Sequence, residues 1–177
     1  MRRAVILVVP LFLAACSTPQ PAPVRPATTT TGAQQPTSTV AQPPASPVPA
    51  ADGKCPYLEN GFVAQANGQK VSKVKISTDK PHPACFFYRA DGKIQLTAQV
   101  YVGQPAAAKA LVDRAAPVAT SDPAKLSTGW TGGSLSTKTG AVFAVAKEGT
   151  AVIISTNQQQ TIKAKRVAEQ AIESLGL

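Results

Sequence analysis

One histidine and three cysteines are the whole stock of imidazole and thiol chemistry in this chain of 177 residues. His82 stands between Pro81 and Pro83, three residues before Cys85, and Asp79 is the nearest acid in sequence. For His82 to act as a general base, a carboxylate or nucleophile would have to come within hydrogen-bond reach. The flanking prolines equally suit a structural loop histidine. No acidic pair has general acid/base spacing, no Cys/His cluster has metal spacing, and no Lys-Ser/Thr follows the glycines as a phosphate loop requires. The residues are therefore read as giving no catalytic set, no metal and no cofactor, with a hydrolase using His82 as the alternative.

Ligand contact has a better candidate in Thr128-Gly129-Trp130-Thr131-Gly132-Gly133. Gly129, Gly132 and Gly133 allow close backbone approach, and the Trp130 indole can stack on a sugar ring or an apolar group. The other reading makes the only tryptophan a cover for one end of the core, since tryptophans are highly buried on average. The surrounding stretch, 117–140, reads as a long loop without secondary structure of its own, and such loops are often functional or disordered. A pocket between it and the hairpin that follows would have an aromatic lid and apolar walls. That suits an acyl chain or a sugar face.

Cys16 belongs to different chemistry. Met1-Arg2-Arg3 is a positive n-region, and Ala4 to Ala15 is apolar apart from Pro10. The run falls short of the roughly 20 residues of a membrane span but suits a signal h-region. It ends in Leu13-Ala14-Ala15-Cys16, which looks like a bacterial lipobox. This implies cleavage before Cys16, a diacylglycerol thioether on its sulfur, and an anchor on the extracytoplasmic face of the cell membrane. An ordinary secretory signal with a chance cysteine is the alternative. Two or more acyl chains, palmitate among them, hold a protein stably where one does so only marginally.

Sixteen prolines are too many for one compact fold of this length, and nine lie between Ser17 and Ala51. Residues 1–15 read as the signal peptide and 16–54 as the lipidated cysteine with a Pro/Thr/Ala-rich tether. The tether cannot bury enough apolar surface to offset its ordering entropy. Its Thr28–Thr31 run is a candidate for O-glycosylation or simply part of a bare linker. Residues 55–177 remain for a single domain, which excludes a multidomain enzyme and a polytopic membrane protein. Export places Cys55 and Cys85 in an oxidising compartment, so a disulfide is expected. Its loop would contribute about 3.5 to 4 kcal/mol in the loop-entropy account.

The elements that must position these residues follow from periodicity. A helix is expected after Cys55, with Pro56 in its first turn and Asn67-Gly68 as its stop. Strands are expected over 71–78 and 85–89, then an Asp91-Gly92 hairpin. Ile94, Leu96, Ala98, Val100 and Val102 alternate with Gln95, Thr97, Gln99 and Tyr101 as in a half-buried strand. Pro105 to Ala116 reads as a helix stopped by Pro117. The runs 141–146 and 151–156 form a hairpin about Glu148-Gly149, and a last helix carries Ala164, Val167, Ala168, Ala171, Ile172 and Leu175 on one stripe. Asn157 is a candidate N-cap within the amide-rich Thr156–Thr161. The class is α+β: an antiparallel sheet of about five strands with helices packed mainly on one face. The alternative is an α/β/α sandwich similar in strand and helix order to Mog1/PsbP-like envelope lipoproteins.

Charge narrows the partners. The formal net charge is +9 with only 15% charged residues, below the roughly 25% of globular proteins. Loss of Arg2 and Arg3 with the leader leaves sixteen basic against nine acidic residues. Lys70, Lys73, Lys75 and Lys80 form one cluster, Lys163, Lys165 and Arg166 another. Outside the membrane the matching polyanions are phospholipid headgroups and envelope glycopolymers, not nucleic acid. A solvated lysine face is the alternative for any one of them.

CPYL from Cys55, HPACFFYRADG from His82, APV followed by GWTGG, and TNQQQTIKAKRVAEQAI from Thr156 occur in this order. Together they resemble an uncharacterised family of actinobacterial secreted lipoproteins, a domain of unknown function, over about residues 52 to 177. The resemblance implies an envelope location in an actinobacterium of the mycolic-acid type and brings no activity or catalytic residue. The expected function is a lipid-anchored, non-catalytic envelope module that binds a protein partner or carries an apolar or glycan ligand. The rival is a wall-active hydrolase.

Overall fold

The computed structural model describes residues 42–177. The leader, Cys16 and the Thr28–Thr31 run lie outside the described residues. Among those described, eight strands form one antiparallel sheet, and three α-helices pack on it. In chain order these are β1 (Ala51–Asp52), α1 (Asn60–Asn67), β2 (Lys73–Ile76), β3 (Cys85–Tyr88), β4 (Ile94–Val102) and α2 (Pro105–Ala115). Then come β5 (Asp122–Lys125), β6 (Thr131–Thr137), β7 (Gly140–Lys147), β8 (Thr150–Thr156) and α3 (Thr161–Leu175). The spatial order is β1-β2-β3-β4-β8-β7-β6-β5, so β4 and β8 meet at the centre.

The sheet is wider than the five strands expected. Two of the additional strands come from the segment read as a loop. β6 has the sequence TGGSLST and β5 the sequence DPAK, neither with an apolar period. What makes them strands is pairing: β6 runs beside β7 from Thr131↔Ala146 to Thr137↔Gly140, and β5 pairs β6 in turn. A third, β1, lies in the expected tether and pairs Ala51 with Ile76 and Asp52 with Lys75. Ordered structure therefore reaches upstream of Cys55. Pro43, Pro44 and Pro47 are half-buried, and Arg114 donates to the Pro44 carbonyl at 2.7 Å.

Both faces of the sheet are covered. Val74, Phe87, Leu96, Ala98, Val100, Phe143, Val145, Val152 and Ile154 share one core with α1 and α3. The alternating residues Ala144, Ala151 and Ile153 face α2 with Ala108, Leu111 and Val112. The helices thus make two layers around the sheet instead of lying mainly on one side.

Two local departures matter. The first helix starts at Asn60, not at Pro56, because Tyr57 and Leu58 are drawn into the core beside Cys55. It does stop at Gly68, whose φ of 73° suits a glycine and whose amide bonds the Ala64 carbonyl. In β4 the alternation is broken at one end. Phe87 pairs Leu96 and Tyr88 pairs Ile94, so Gln95 is the extra residue of a bulge. The bulge turns Gln95 inward to 1% exposure and leaves Ile94 42% exposed.

Candidate functional site

An open groove of about 520 Å³ runs along α2, from Pro105 in its first turn to Ala116 just past its end. That volume is in the range of small-molecule sites. Its apolar walls are Pro105, Val112, Ala116, Val118, Pro123 and Ala146, and its rim carries Lys109, Asp113, Ser121, Thr131 and Glu148. Pro105 occupies the first turn of α2, where a missing N–H costs nothing. The helix ends before Pro117, and Thr120 and Ser121 turn the chain by donating their amides to the Pro117 carbonyl, each at 3.0 Å. The Ser121 hydroxyl lies 3.1 Å from the Ala116 carbonyl and 2.9 Å from that of Pro117. This turn holds Val118 at the groove mouth, 81% exposed.

Glycines keep the groove floor thin. A Cβ on Gly133 would lie 2.6 Å from the Ser121 hydroxyl and 3.0 Å from the Ala116 Cβ. One on Gly132 would lie 2.0 Å from the Ala144 carbonyl oxygen. Neither position can take a side chain without moving the turn or β7. At the rim Lys109 and Asp113 pair at 2.5 Å across one helical turn. Glu148 sits at φ 53° in the β7–β8 turn, a left-handed conformation uncommon outside glycine, asparagine and aspartate. Among the described residues its carboxylate has no ion-pair partner.

The structure divides the residues expected to form a ligand site. Gly132 borders the groove, and Gly133 lies behind its turn. Trp130 instead belongs to the core with α1 and α3, at 1% exposure, with no partner for its Nε1 among the described residues. Gly129 ends a short 3-10 turn, Ser127–Gly129, with φ 89°, and is not among the residues around the groove. The aromatic lid expected over the pocket is therefore replaced by Val118. The residues that sequence reasoning missed, Val112, Ala116, Val118, Pro123 and Glu148, come from four separate elements and share no motif.

His82 is half-buried, edge-on to Tyr57 with ring centres 6.5 Å apart. Among the described residues no carboxylate or hydroxyl hydrogen-bonds to its imidazole. Asp79 is engaged elsewhere, accepting from the Ser77 hydroxyl at 2.7 Å. Tyr57 itself donates toward the carbonyls of Pro83 and Ala98, at 3.0 and 3.1 Å. Burial, then the nearby Asp79 charge, pushes its phenol well above the ordinary value. Cys55 and Cys85 are bonded, with Cα atoms 5.6 Å apart. Among the described residues no three His, Cys, Asp or Glu side chains gather as a metal site would.

The amide-rich segment is a junction. Asn157 is not the N-cap of α3; that position is Gln160, which makes no side-chain cap bond. Instead Asn67 at the end of α1 donates to Gln95 Oε1 at 3.0 Å and Asn157 Oδ1 at 3.3 Å, and accepts from the Thr156 hydroxyl. Gln95 Nε2 donates to the Lys70 carbonyl at 2.9 Å, and Lys163 donates to the Asn67 carbonyl at 3.2 Å. Bulge, helix end and strand end are thereby locked together.

A family profile described as a domain of unknown function matches residues 39–177. The chain belongs to the DUF2020 family. The matched region starts ahead of β1, so the proline segment lying on the α2 side is part of the DUF2020 domain and not only a linker to it. No curated protein matches the chain. Among the described residues, no helix of this DUF2020 protein is long and apolar enough to cross a membrane.

Proposed function

We propose that this DUF2020 protein is an exported, lipid-anchored module of an actinobacterial envelope, held at Cys16, that binds the apolar part of a ligand without catalysis. The groove beneath α2 carries this reading. It is a volume of about 520 Å³ with aliphatic walls, larger than the clefts of about 250 and 200 Å³ on the α1/α3 face. Its polar groups sit at the rim, which suits an amphiphile whose chain enters and whose head stays wet. The lipobox-like Leu13–Cys16 supports the anchor, and the disulfide is in keeping with an oxidising compartment.

The test is titration of the protein with a fatty acyl probe carrying an environment-sensitive dye. Val118→Glu, at an exposed position, should weaken binding by about tenfold or more, the cost of placing a charge on an apolar contact. Unchanged affinity in this variant would remove the groove from the proposal. For the anchor, Cys16→Ala should release the protein from the membrane fraction or leave it unprocessed. Unaltered detergent partitioning would defeat that part separately.

A further inference from the structure

At the opposite end of the sheet from the groove, a concavity of about 340 Å³ is bounded by Ser72, Lys73, Lys75, Tyr88, Arg89 and Gly92. Lys73 and Lys75 alternate with buried Val74 on β2, so both project to the α2 side. Asp52 lies 3.4 Å from Lys73 and 3.9 Å from Lys75 and is itself 70% exposed. Arg89 pairs with Asp91 at 2.6 Å, and the Lys93 amide and then Arg89 hold that carboxyl below its usual range. Lys93, exposed, lies beside Asp91. Four cations at this corner, Lys73, Lys75, Arg89 and Lys93, thus meet two carboxylates.

The second basic cluster is disposed differently. Lys163 is bound to the Asn67 carbonyl and Gln158, Lys165 pairs with Glu169 at 3.8 Å, and Arg166 lies 5.6 Å over the Phe62 ring. Its charges are engaged within the fold. At the β2–β3 corner Lys73 and Lys75 share the single carboxylate of Asp52, so their pairing leaves positive charge in excess.

The path of the chain supplies a second observation. Residues 42–50 cross the α2 side, where Ser46 and Pro47 border a cleft with Phe86, Thr97, Gln99 and Arg114. The first described residues therefore lie on the side of the sheet that bears Lys73 and Lys75.

We propose that the Lys73/Lys75/Arg89 corner docks onto anionic phospholipid headgroups of the bilayer that holds the chain. Headgroup phosphates complement the excess charge, and attachment through the tether raises the local concentration of headgroups so that a few cations suffice. The proposal rests on the anchor reading, so its test uses the chain without lipid.

The full-length Cys16→Ser chain is sedimented with vesicles of phosphatidylglycerol and phosphatidylcholine, and with vesicles of phosphatidylcholine alone. Binding is expected only to the anionic vesicles and should fall as salt rises. Lys73→Gln with Lys75→Gln should weaken it about thirty-fold, from the usual attraction per cation near such a surface. Lys138→Gln, in the β6–β7 turn, should leave it nearly unchanged. Circular dichroism checks the fold, and Arg89→Gln serves as an independent variant. Absence of vesicle binding, equal binding to neutral vesicles, or an equal loss in Lys138→Gln would overturn the proposal. So would retention by a soluble anionic polysaccharide in place of vesicles, which would assign the corner to a glycopolymer. Failure of the Cys16 fractionation test would remove the anchor without altering any of these readouts.

Discussion

The two faces of the sheet differ in how completely they are closed. On one, α1 and α3 lie over Phe87, Leu96, Val152 and Ile154, and the Asn67–Gln95–Thr156 junction joins its polar groups. On the other, α2 covers β7 and β8 with alanines and a few larger side chains. Beyond it lie a proline segment, a cleft beside Phe86 and the groove under Val118. The α1/α3 face carries the larger core and clefts of about 200 and 250 Å³, and the α2 face the larger volumes of about 520 and 390 Å³. Substitutions should separate the two.

The largest effect is expected where packing is densest. Phe87→Ala, at a fully buried position, should cost about 3–5 kcal/mol in denaturant unfolding. A loss below about 1 kcal/mol would mean the α1/α3 face is not the stabilising one. Asn67→Ala removes the donor to Gln95 Oε1 and the acceptor of the Thr156 hydroxyl and should cost about 1–3 kcal/mol, also by unfolding.

Tyr57→Phe should be milder, about 1 kcal/mol near pH 8, for the hydrogen bonds to Pro83 and Ala98. Its pH dependence is the sharper test. Because the folded state raises the phenol's pKa, the tyrosine's contribution is complete below the unfolded value, about 10. It declines as the pH rises past that value and the unfolded phenol ionises. The stability gap between wild type and Tyr57→Phe should therefore narrow from about pH 10 upward; a gap independent of pH would contradict the burial of this group. The smallest stability effect belongs to the open face. Val118→Ser should change unfolding by no more than about 0.5 kcal/mol while reducing acyl-probe binding.

The sequence made the elements with strong periodicity legible. α2, β4, the β7–β8 hairpin and α3 fall close to where their patterns place them, and the Cys55–Cys85 pairing follows from cysteine usage once export is assumed. β5 and β6 were not legible because Gly132, Gly133, Ser134 and Pro123 carry no strand signal. They become strands by lying beside β7. The Gln95 bulge was hidden for the opposite reason, since the alternation through it reads as unbroken. Gly132 and Gly133 marked the region of the groove, but its walls are assembled from residues far apart in the chain. Trp130 is conspicuous in the sequence for its rarity, and the fold buries it in the core.

The ends of the sheet carry one more consequence. At one margin β1 has two residues, and at the other β5 has four, with Pro123 lacking an amide hydrogen and Lys125 exposed. A neighbouring molecule that tried to extend this sheet would find a template too short at one side and interrupted at the other. Crowded copies can therefore sit shoulder to shoulder without zipping into a continuous ribbon. Eight strands remain a bounded unit at densities where an open-ended sheet would polymerise.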